Sequence, residues 1–338
     1  MIQTSESEGG LAGATHGAPA AIEARGLRKA YGELQAVRGV DITVRRGEVF
    51  CLLGPNGAGK TSVVEILEGY REASGGEARV LGIPVGGSRA ASRELRERVG
   101  IVLQSCGVQP DLTVAELVEM YGRYHRHPRP IDEVLTLVEL EAKRDERANK
   151  LSGGQRRRLD LALALVGDPE LIFLDEPTTG FDPAARRQAW SAIRSLCDLG
   201  KTVFLTTHFM DEAQYLGDRV AVMRAGEIIA EGTPDELGGR DRRPAEIRFA
   251  LPDGVALDDL PDAPSERRTI DSGHALVLTR EPVRAAHVIT GWALERGIAL
   301  GSFRIAQPTL EDIYLELTGG DGAVPASQST AAHEEIPA

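Results

Sequence analysis

The chain has 338 residues, of which 42% are apolar and 27% charged, and its formal net charge is −12. This composition suits a globular protein of about two domains. The acidic balance argues against a nucleic-acid binder, which needs a basic face, and no run reaches the ~18 apolar residues of a membrane helix. The cysteines are too few and too scattered for a disulfide framework or a metal cluster.

Four regions follow one another along the chain. Residues 1–20 are small and polar and lack the basic start and apolar core of a signal peptide, so we expect a disordered segment. Residues 21–238 carry short apolar runs between helical patterns, which predicts an α/β domain. A linker near residue 240 precedes a small α+β domain at 245–318. Residues 319–338 again resemble a disordered tail.

Within 21–238 the predicted elements change in kind along the chain. The opening stretch alternates with turns and predicts antiparallel strands. Helical spacing dominates about 111–165. Continuous apolar runs, which predict buried strands, occur at 49–53, 99–103, 171–174 and 203–205.

The run at 49–53 leads into GPNGAGKT, and the helical pattern SVVEILEGY follows at once. This is the strand–loop–helix context of the G-x-x-x-x-G-K-[ST] phosphate loop, in which backbone N–H groups surround phosphates. Lys60 adds a positive charge, and the Thr61 hydroxyl can bind Mg²⁺. The predicted ATP-binding residues of the loop are Gly54, Pro55, Asn56, Gly57, Ala58, Gly59, Lys60, Thr61 and Ser62.

A second glycine-rich stretch, LSGGQ, lies at 151–155 ahead of a helical run. Ser152 and Gln155 have the spacing of a capping box, but a cap does not need Gly153 and Gly154. Each glycine in a helical turn costs roughly 0.5–1 kcal/mol against alanine. Glycines at a helix start are useful where a phosphate must approach bare backbone N–H groups. The stretch therefore predicts a second phosphate contact far from the first loop.

Two carboxylates and a histidine follow the next apolar runs. Asp175 and Glu176 end the run at 171–174, and His208 ends the run at 203–205. Ligands of open parallel sheets lie at the carboxyl ends of the strands. We expect Asp175 to hold Mg²⁺ and Glu176 to polarise a water for attack on the γ-phosphate. A histidine at a strand end is more often structural, but its position after this strand favours a γ-phosphate contact.

Beyond the linker, the pattern predicts strands at 247–251, 275–279 and 298–305, with helices at about 283–295 and 309–317.

Together these motifs resemble the ATP-binding subunit of an ABC transporter. The match consists of GPNGAGKT, Gln104 in IVLQ, LSGGQ, LDEPTTGFD at 174–182 and TTH at 206–208. The resemblance covers about 21–238 and implies a P-loop NTPase of ABC type. That fold has a mixed sheet core with an antiparallel β-subdomain and a helical subdomain, here followed by the C-terminal α+β domain.

The resemblance also implies roles that spacing alone does not give. Gln104 would contact Mg²⁺ and face a membrane partner, and Tyr31 would stack on adenine unless it is a plain surface tyrosine. Two chains would pair head to tail, so that Ser152 to Gln155 contact the ATP of the partner, and Asp182 would lie along the junction. Phe181 stands where the family usually has leucine, and the Arg156–Arg158 run is interpreted as a solvated basic face.

The closing stretch PTLEDIYLELTG at 308–319 resembles ATP-binding subunits of bacterial drug and antibiotic exporters of the daunorubicin-resistance type. The function implied is ATP hydrolysis that energises export. The cofactors are ATP and Mg²⁺, and the partners are a second copy and a separate permease at the cytoplasmic face of the membrane. The alternatives are an exporter of lipid or polysaccharide and a non-transport ABC ATPase.

Overall fold

A computed structural model describes residues 20–102, 109–251, 254–271 and 273–317. The disorder predicted for both termini and the role predicted for Gln104 fall on residues outside these ranges, except Ala20. The strands are β1 (Ile22–Tyr31), β2 (Leu34–Val44), β3 (Val49–Leu53), β4 (Gly75–Val80), β5 (Ile83–Pro84), β6 (Val99–Val102), β7 (Leu171–Asp175), β8 (Thr202–Thr207), β9 (Arg219–Arg224), β10 (Glu227–Gly232), β11 (Ala245–Ala250), β12 (Arg267–Asp271), β13 (His274–Thr279) and β14 (Gly301–Ala306). The helices are α1 (Lys60–Leu67), α2 (Arg89–Arg98), α3 (Val114–Gly122), α4 (Ile131–Leu137), α5 (Gly153–Leu165), α6 (Pro183–Asp198), α7 (Met210–Leu216), α8 (Pro282–Glu295) and α9 (Leu310–Leu317).

The central sheet has the strand order β10-β9-β3-β8-β7-β6. All of its pairs are parallel except the antiparallel hairpin of β9 and β10. Strands β3, β6, β7 and β8 are covered on both faces, which is why they read as continuous apolar runs. On β3, Val49, Cys51 and Leu53 face one core, whereas Phe50 and Leu52 face the other.

Two further sheets flank this centre, both antiparallel. The first, of order β2-β1-β4-β5, packs with α1 in the core that contains Phe50. The second, of order β12-β13-β11-β14, is covered by α8. The mixed sheet, the antiparallel subdomain, the helices of the 111–165 region and the C-terminal α+β unit are therefore all present. Among the described helices, none is both long enough and apolar enough to span a bilayer.

The C-terminal sheet departs from the predicted elements in two places. β12 was not predicted, and the strand predicted at 298–305 lies at Gly301–Ala306. The N–H of Ile298 donates instead to the Ala293 carbonyl at 2.8 Å, so this residue closes α8 rather than beginning a strand.

Helix α9 packs on the first unit and not on the C-terminal sheet. Its Leu310 and Tyr314 are buried in the core that contains Leu237 and the inner face of α7. Arg240 holds the segment that leads into α9, because its Nε donates to the Pro308 carbonyl at 2.6 Å. The domain boundaries at 238, 245 and 318 stay predictions, but by packing α9 belongs with 21–238.

Candidate active site

The phosphate loop joins β3 to α1, and its glycines are required by the chain itself. Gly59 has a φ of 107°, and a Cβ there would lie 2.3 Å from the Ala36 carbonyl oxygen. A Cβ on Gly54 would lie 2.4 Å from the Met223 carbonyl oxygen. Neither position can take a side chain without moving backbone, so the loop keeps the curled shape that exposes its N–H groups.

Lys60, the first residue of α1, lies at the base of the loop with its side chain only 4% exposed. Its Nζ donates to the carbonyls of Gly54 at 2.8 Å and Pro55 at 3.1 Å, and lies 3.4 Å from Glu176 Oε1. Burial lowers the pKa of Lys60, and the charge of Glu176 works against that shift. The loop thus holds an ammonium group, with fixed partners, where phosphates would be bound.

The two acidic residues at the end of β7 are held by the neighbouring strand β8. The Thr206 hydroxyl donates to Asp175 Oδ1 and accepts the backbone N–H of Glu176 at 3.1 Å. Glu176 has a φ of 46°, an uncommon conformation for a residue with a side chain. Thr206, which the sequence analysis did not single out, therefore holds the carboxylate of Asp175 and the backbone of Glu176.

Glu176 lies between the side chains of Lys60 and His208. Its Oε1 is 3.4 Å from Lys60 Nζ and 3.3 Å from His208 Nδ1, and its Oε2 accepts from Thr179 Oγ1 at 3.2 Å. Burial alone would raise the pKa of Glu176, but Lys60 and His208 outweigh it and hold the pKa below its ordinary value. The structure therefore brings together the proposed base, the loop lysine and the proposed γ-phosphate contact.

An open cavity of about 430 Å³ lies over the loop, a volume typical of small-ligand sites. Its walls come from the phosphate loop, from the first sheet and from the end of β7. They are Tyr31, Leu34, Ala36, Asn56, Gly57, Gly59, Lys60, Thr61, Ser62, Asp175 and Glu176. Three predicted ATP-binding residues, Gly54, Pro55 and Ala58, do not line this cavity. The carbonyls of Gly54 and Pro55 hold Lys60 instead, and Ala58 is buried behind the loop.

Tyr31 stands at the rim of the cavity with 39% of its surface exposed. Its hydroxyl is 3.3 Å from Ser62 Oγ, and its ring centre lies 5.2 Å from Lys29 Nζ and 5.6 Å from Arg71 Cζ. An exposed aromatic ring beside a phosphate loop can stack on a base.

The same cavity offers the oxygen ligands that Mg²⁺ prefers. Thr61 supplies a hydroxyl and Asp175 a carboxylate. Within the described residues, no group of three or more His, Cys, Asp or Glu side chains forms a metal cluster. Mg²⁺ usually takes one or two protein ligands and completes its shell with phosphates and water, so Thr61 and Asp175 would be enough protein ligands for it.

The LSGGQ stretch begins α5 with both halves of a capping box. Ser152 Oγ accepts the Gln155 N–H at 3.3 Å, and Gln155 Oε1 accepts the Ser152 N–H at 3.0 Å. A Cβ on Gly153 would meet nothing within 4 Å, and one on Gly154 would meet only Ala185 Cβ, at 4.0 Å. Unlike Gly54 and Gly59, these glycines are not required by any described part of their own chain. The cavity over the phosphate loop is not lined by any residue from Ser152 to Gln155.

The interpretation of Arg156–Arg158 as a solvated basic face is wrong for Arg157. Its side chain is only 13% exposed and lies 3.6 Å from Asp160. Its Nε donates to the Pro177 carbonyl at 3.0 Å, so it ties α5 to the loop after Glu176. Asp182 ends that loop and caps α6, where Oδ1 accepts the N–H groups of Ala184 and Ala185 at 2.8 and 2.9 Å.

Comparisons with known proteins agree with this geometry. The ABC transporter family model matches residues 37–179. A second model, for the ABC transporter domain-containing protein-like C-terminal domain, matches residues 245–309. The Nod factor export ATP-binding protein I of Paraburkholderia xenovorans (strain LB400) is 41% identical over 309 residues, which are 89% of this chain and 97% of that protein. The daunorubicin resistance ATP-binding protein DrrA3 of Streptomyces coeruleorubidus is 38% identical over 317 residues, 91% and 98% of the two chains.

A solved structure gives the same fold. The dimeric structure of the ATP-binding cassette MJ0796, in a post-hydrolysis state with ADP and Pi, superposes with a TM-score of 0.56 at 26% identity. It covers 63% of this chain and 98% of that one. The fold class predicted from the sequence is therefore confirmed. The chain belongs to the family of ATP-binding subunits of ABC transporters and is an ATPase of that family.

Proposed function

We propose that this ATPase energises a membrane export complex, in which two copies pair head to tail beneath a separate permease on the cytoplasmic face. The observation that carries the pairing is the open space around Gly153 and Gly154. Glycine in a helix lowers the stability of the helix and is useful only where another group must approach the backbone closely. No described residue of the chain does so, whereas a phosphate held by a second copy would.

The proposed chemistry divides among three groups of this chain. The N–H groups of the phosphate loop and Lys60 bind the β- and γ-phosphates. Glu176, kept ionised by Lys60 and His208, polarises the attacking water, and His208 contacts the γ-phosphate. Thr61, Asp175 and Gln104 would hold Mg²⁺, which would neutralise charge on the phosphate oxygens.

A surface groove supports the permease as partner. A groove of about 580 Å³ between α2, β6, α3 and α5 is lined by Tyr121, His125 and two arginines, Arg93 and Arg96. Tyr124, which is 74% exposed, also lines it. Aromatic and arginine side chains are the residues that interfaces favour. We expect Tyr124→Ala to weaken association with the permease and to leave ATP binding unchanged.

The cargo is proposed to be a drug or antibiotic, on the strength of the closing stretch at 308–319. The second candidate cargo is a lipid or polysaccharide. Relatives named for Nod factor export and for daunorubicin resistance are about equally similar to this chain, at 41% and 38% identity, so similarity alone does not decide the cargo. The residues of the ATPase site do not distinguish the two candidate cargoes, because the permease selects the cargo.

Co-purification from the native membrane, followed by transport in inverted vesicles, tests this proposal. The tagged chain should retain one membrane protein with multiple spanning helices. MgATP should then drive uptake of an antibiotic, and vesicles with Lys60→Ala should show none. ATP hydrolysis by a chain that associates with no membrane protein would instead support the remaining alternative, a non-transport ABC ATPase.

A further inference from the structure

Helix α7 carries a glutamate that none of the steps above uses. Glu212 lies four residues beyond His208 and is fully buried, with 0% of its surface exposed. A buried carboxyl is costly to keep unless hydrogen bonds compensate for the lost water. Such a group is retained for what it holds in place, so its partners indicate its role.

Two partners meet this carboxyl, each from a different segment. Glu212 Oε1 accepts from Thr178 Oγ1 at 2.7 Å and from Trp190 Nε1 at 2.9 Å. The turn that leads from His208 into α7 is fixed separately, because Thr207 Oγ1 accepts the Phe209 N–H at 3.0 Å.

These two contacts join segments that carry predicted site residues. Thr178 is two residues beyond Glu176, and α7, which carries Glu212, begins two residues beyond His208. Trp190 is on α6, the helix that begins at the Asp182 cap. One carboxyl thus ties the loop of the base, the helix that follows His208 and the helix that follows the predicted junction. The 3.3 Å separation of Glu176 Oε1 and His208 Nδ1 depends on the first two of these segments.

We infer that Glu212 is a positioning residue for ATP hydrolysis, which fixes the Glu176 loop against the helix that follows His208 through its hydrogen bond from Thr178. It lies outside the cavity over the phosphate loop. Its loss therefore reduces the rate of hydrolysis and spares the binding of ATP.

The hydrogen bonds of Glu212 can be tested apart from its charge. Burial raises the pKa of Glu212, against the opposing effect of the hydrogen bonds from Thr178 and Trp190. A neutral amide of the same shape can accept from Thr178 and Trp190 in the same way. Glu212→Gln is therefore the conservative variant, and Glu212→Ala removes both hydrogen bonds.

The test compares kcat with ATP affinity in the full-length chain. Misplacement of a catalytic group by about 1 Å costs on the order of 10²-fold in rate, so Glu212→Ala should lower kcat by about that factor. Its ATP affinity should stay within about threefold of the wild type, because the phosphate loop is untouched. Glu212→Gln should restore most of the lost rate.

If Glu212→Ala fails to fold, Thr178→Val still tests the inference, because it removes only the hydroxyl that donates to Glu212 and keeps the side-chain volume. It should lower kcat and not affinity. Thr279→Val, which removes a buried hydroxyl from the C-terminal sheet, is the matched control and should leave kcat unchanged. A folded Thr178→Val chain with wild-type kcat and a reduced melting temperature would overturn the inference. So would a Glu212→Gln chain as slow as Glu212→Ala.

Discussion

Replacement of Glu176 by glutamine removes the proposed base with little change in shape. The amide can keep the hydrogen bond from Thr179 and the backbone N–H bond to Thr206. It also inherits the positive φ of the position, so backbone strain is equal in the two chains. Lys60 keeps its two carbonyl partners and is not left as an unpaired buried charge.

The size of the effect follows from what is lost. A positioned general base contributes typically about 10²–10⁴-fold, which is about 3–5 kcal/mol of the activation barrier. Binding should change little or become tighter, because a negative charge is removed from beside the phosphates. We therefore expect Glu176→Gln to bind MgATP and to hydrolyse it at least about 10²-fold more slowly.

Single-turnover hydrolysis and equilibrium nucleotide binding, measured on the same preparation, separate these two effects. Glu170→Gln is the matched control, since Glu170 pairs with Arg46 and Arg98 away from the cavity. It should hydrolyse ATP at the wild-type rate. Wild-type turnover by Glu176→Gln would refute the assignment of the base.

Three further predictions concern folding and stability. Gly59→Ala should destabilise the chain by about 1–3 kcal/mol in urea unfolding, because the φ of this position is positive and the new Cβ would clash with the Ala36 carbonyl. Gly153→Ala should be neutral or stabilising by about 0.5–1 kcal/mol, because its Cβ would meet nothing. Equal effects of the two substitutions would contradict the distinction between the two loops. Truncation after Gly239 removes α9 and uncovers part of the core, so the melting temperature should fall while the chain still binds MgATP and pairs or docks less well; a folded truncated chain that cannot bind would count against the C-terminal role. Burial, with two nearby carboxylates, raises the pKa of Glu68 to about 8. As pH rises, the unfolded chain ionises at this position before the folded chain does, so the free energy of unfolding should fall from about pH 5 to about pH 8. Glu68→Gln should remove this part of the fall when unfolding is measured across that range.

The positions of the candidate site residues were predictable because their constraints are local. GPNGAGKT needs glycines, a lysine and a helix start at fixed spacing, and the sequence carries all of them next to an apolar strand. The carboxylates at 175 and 176 were placed by the same logic, since parallel strands end at one edge of the sheet. The structure brings both carboxylates to the cavity over the loop.

The contacts that hold this site in place were not predictable in this way. Thr206, Arg157 and Glu212 act on residues 18 to 34 positions away along the chain, and no spacing rule records such pairs. The strand β12 was missed for a related reason. Its sequence, RRTID, has little apolar character, and only pairing with β13 makes it a strand.

Helix α9 shows the same limit at the level of domains. Its apolar spacing predicted the helix, but not the surface on which it packs. Leu310 and Tyr314 enter the core of the first unit because the chain returns across the linker, where Arg240 binds the Pro308 carbonyl. Tertiary contacts of this kind depend on the whole fold, so composition shifts near residue 240 could not reveal them.

Mixing two damaged chains tests the central claim, that LSGGQ serves the ATP of a partner, most directly. Ser152→Arg places a bulky side chain at the start of α5 and leaves the phosphate loop intact, whereas Lys60→Ala damages only that loop. In a mixed head-to-tail pair, one composite site carries both lesions and the other carries neither. The account predicts that crosslinked mixed pairs close on ATP more than either variant alone. A mixture that behaves as the average of the two variants would contradict it and leave Ser152 and Gln155 as a helix cap and nothing more.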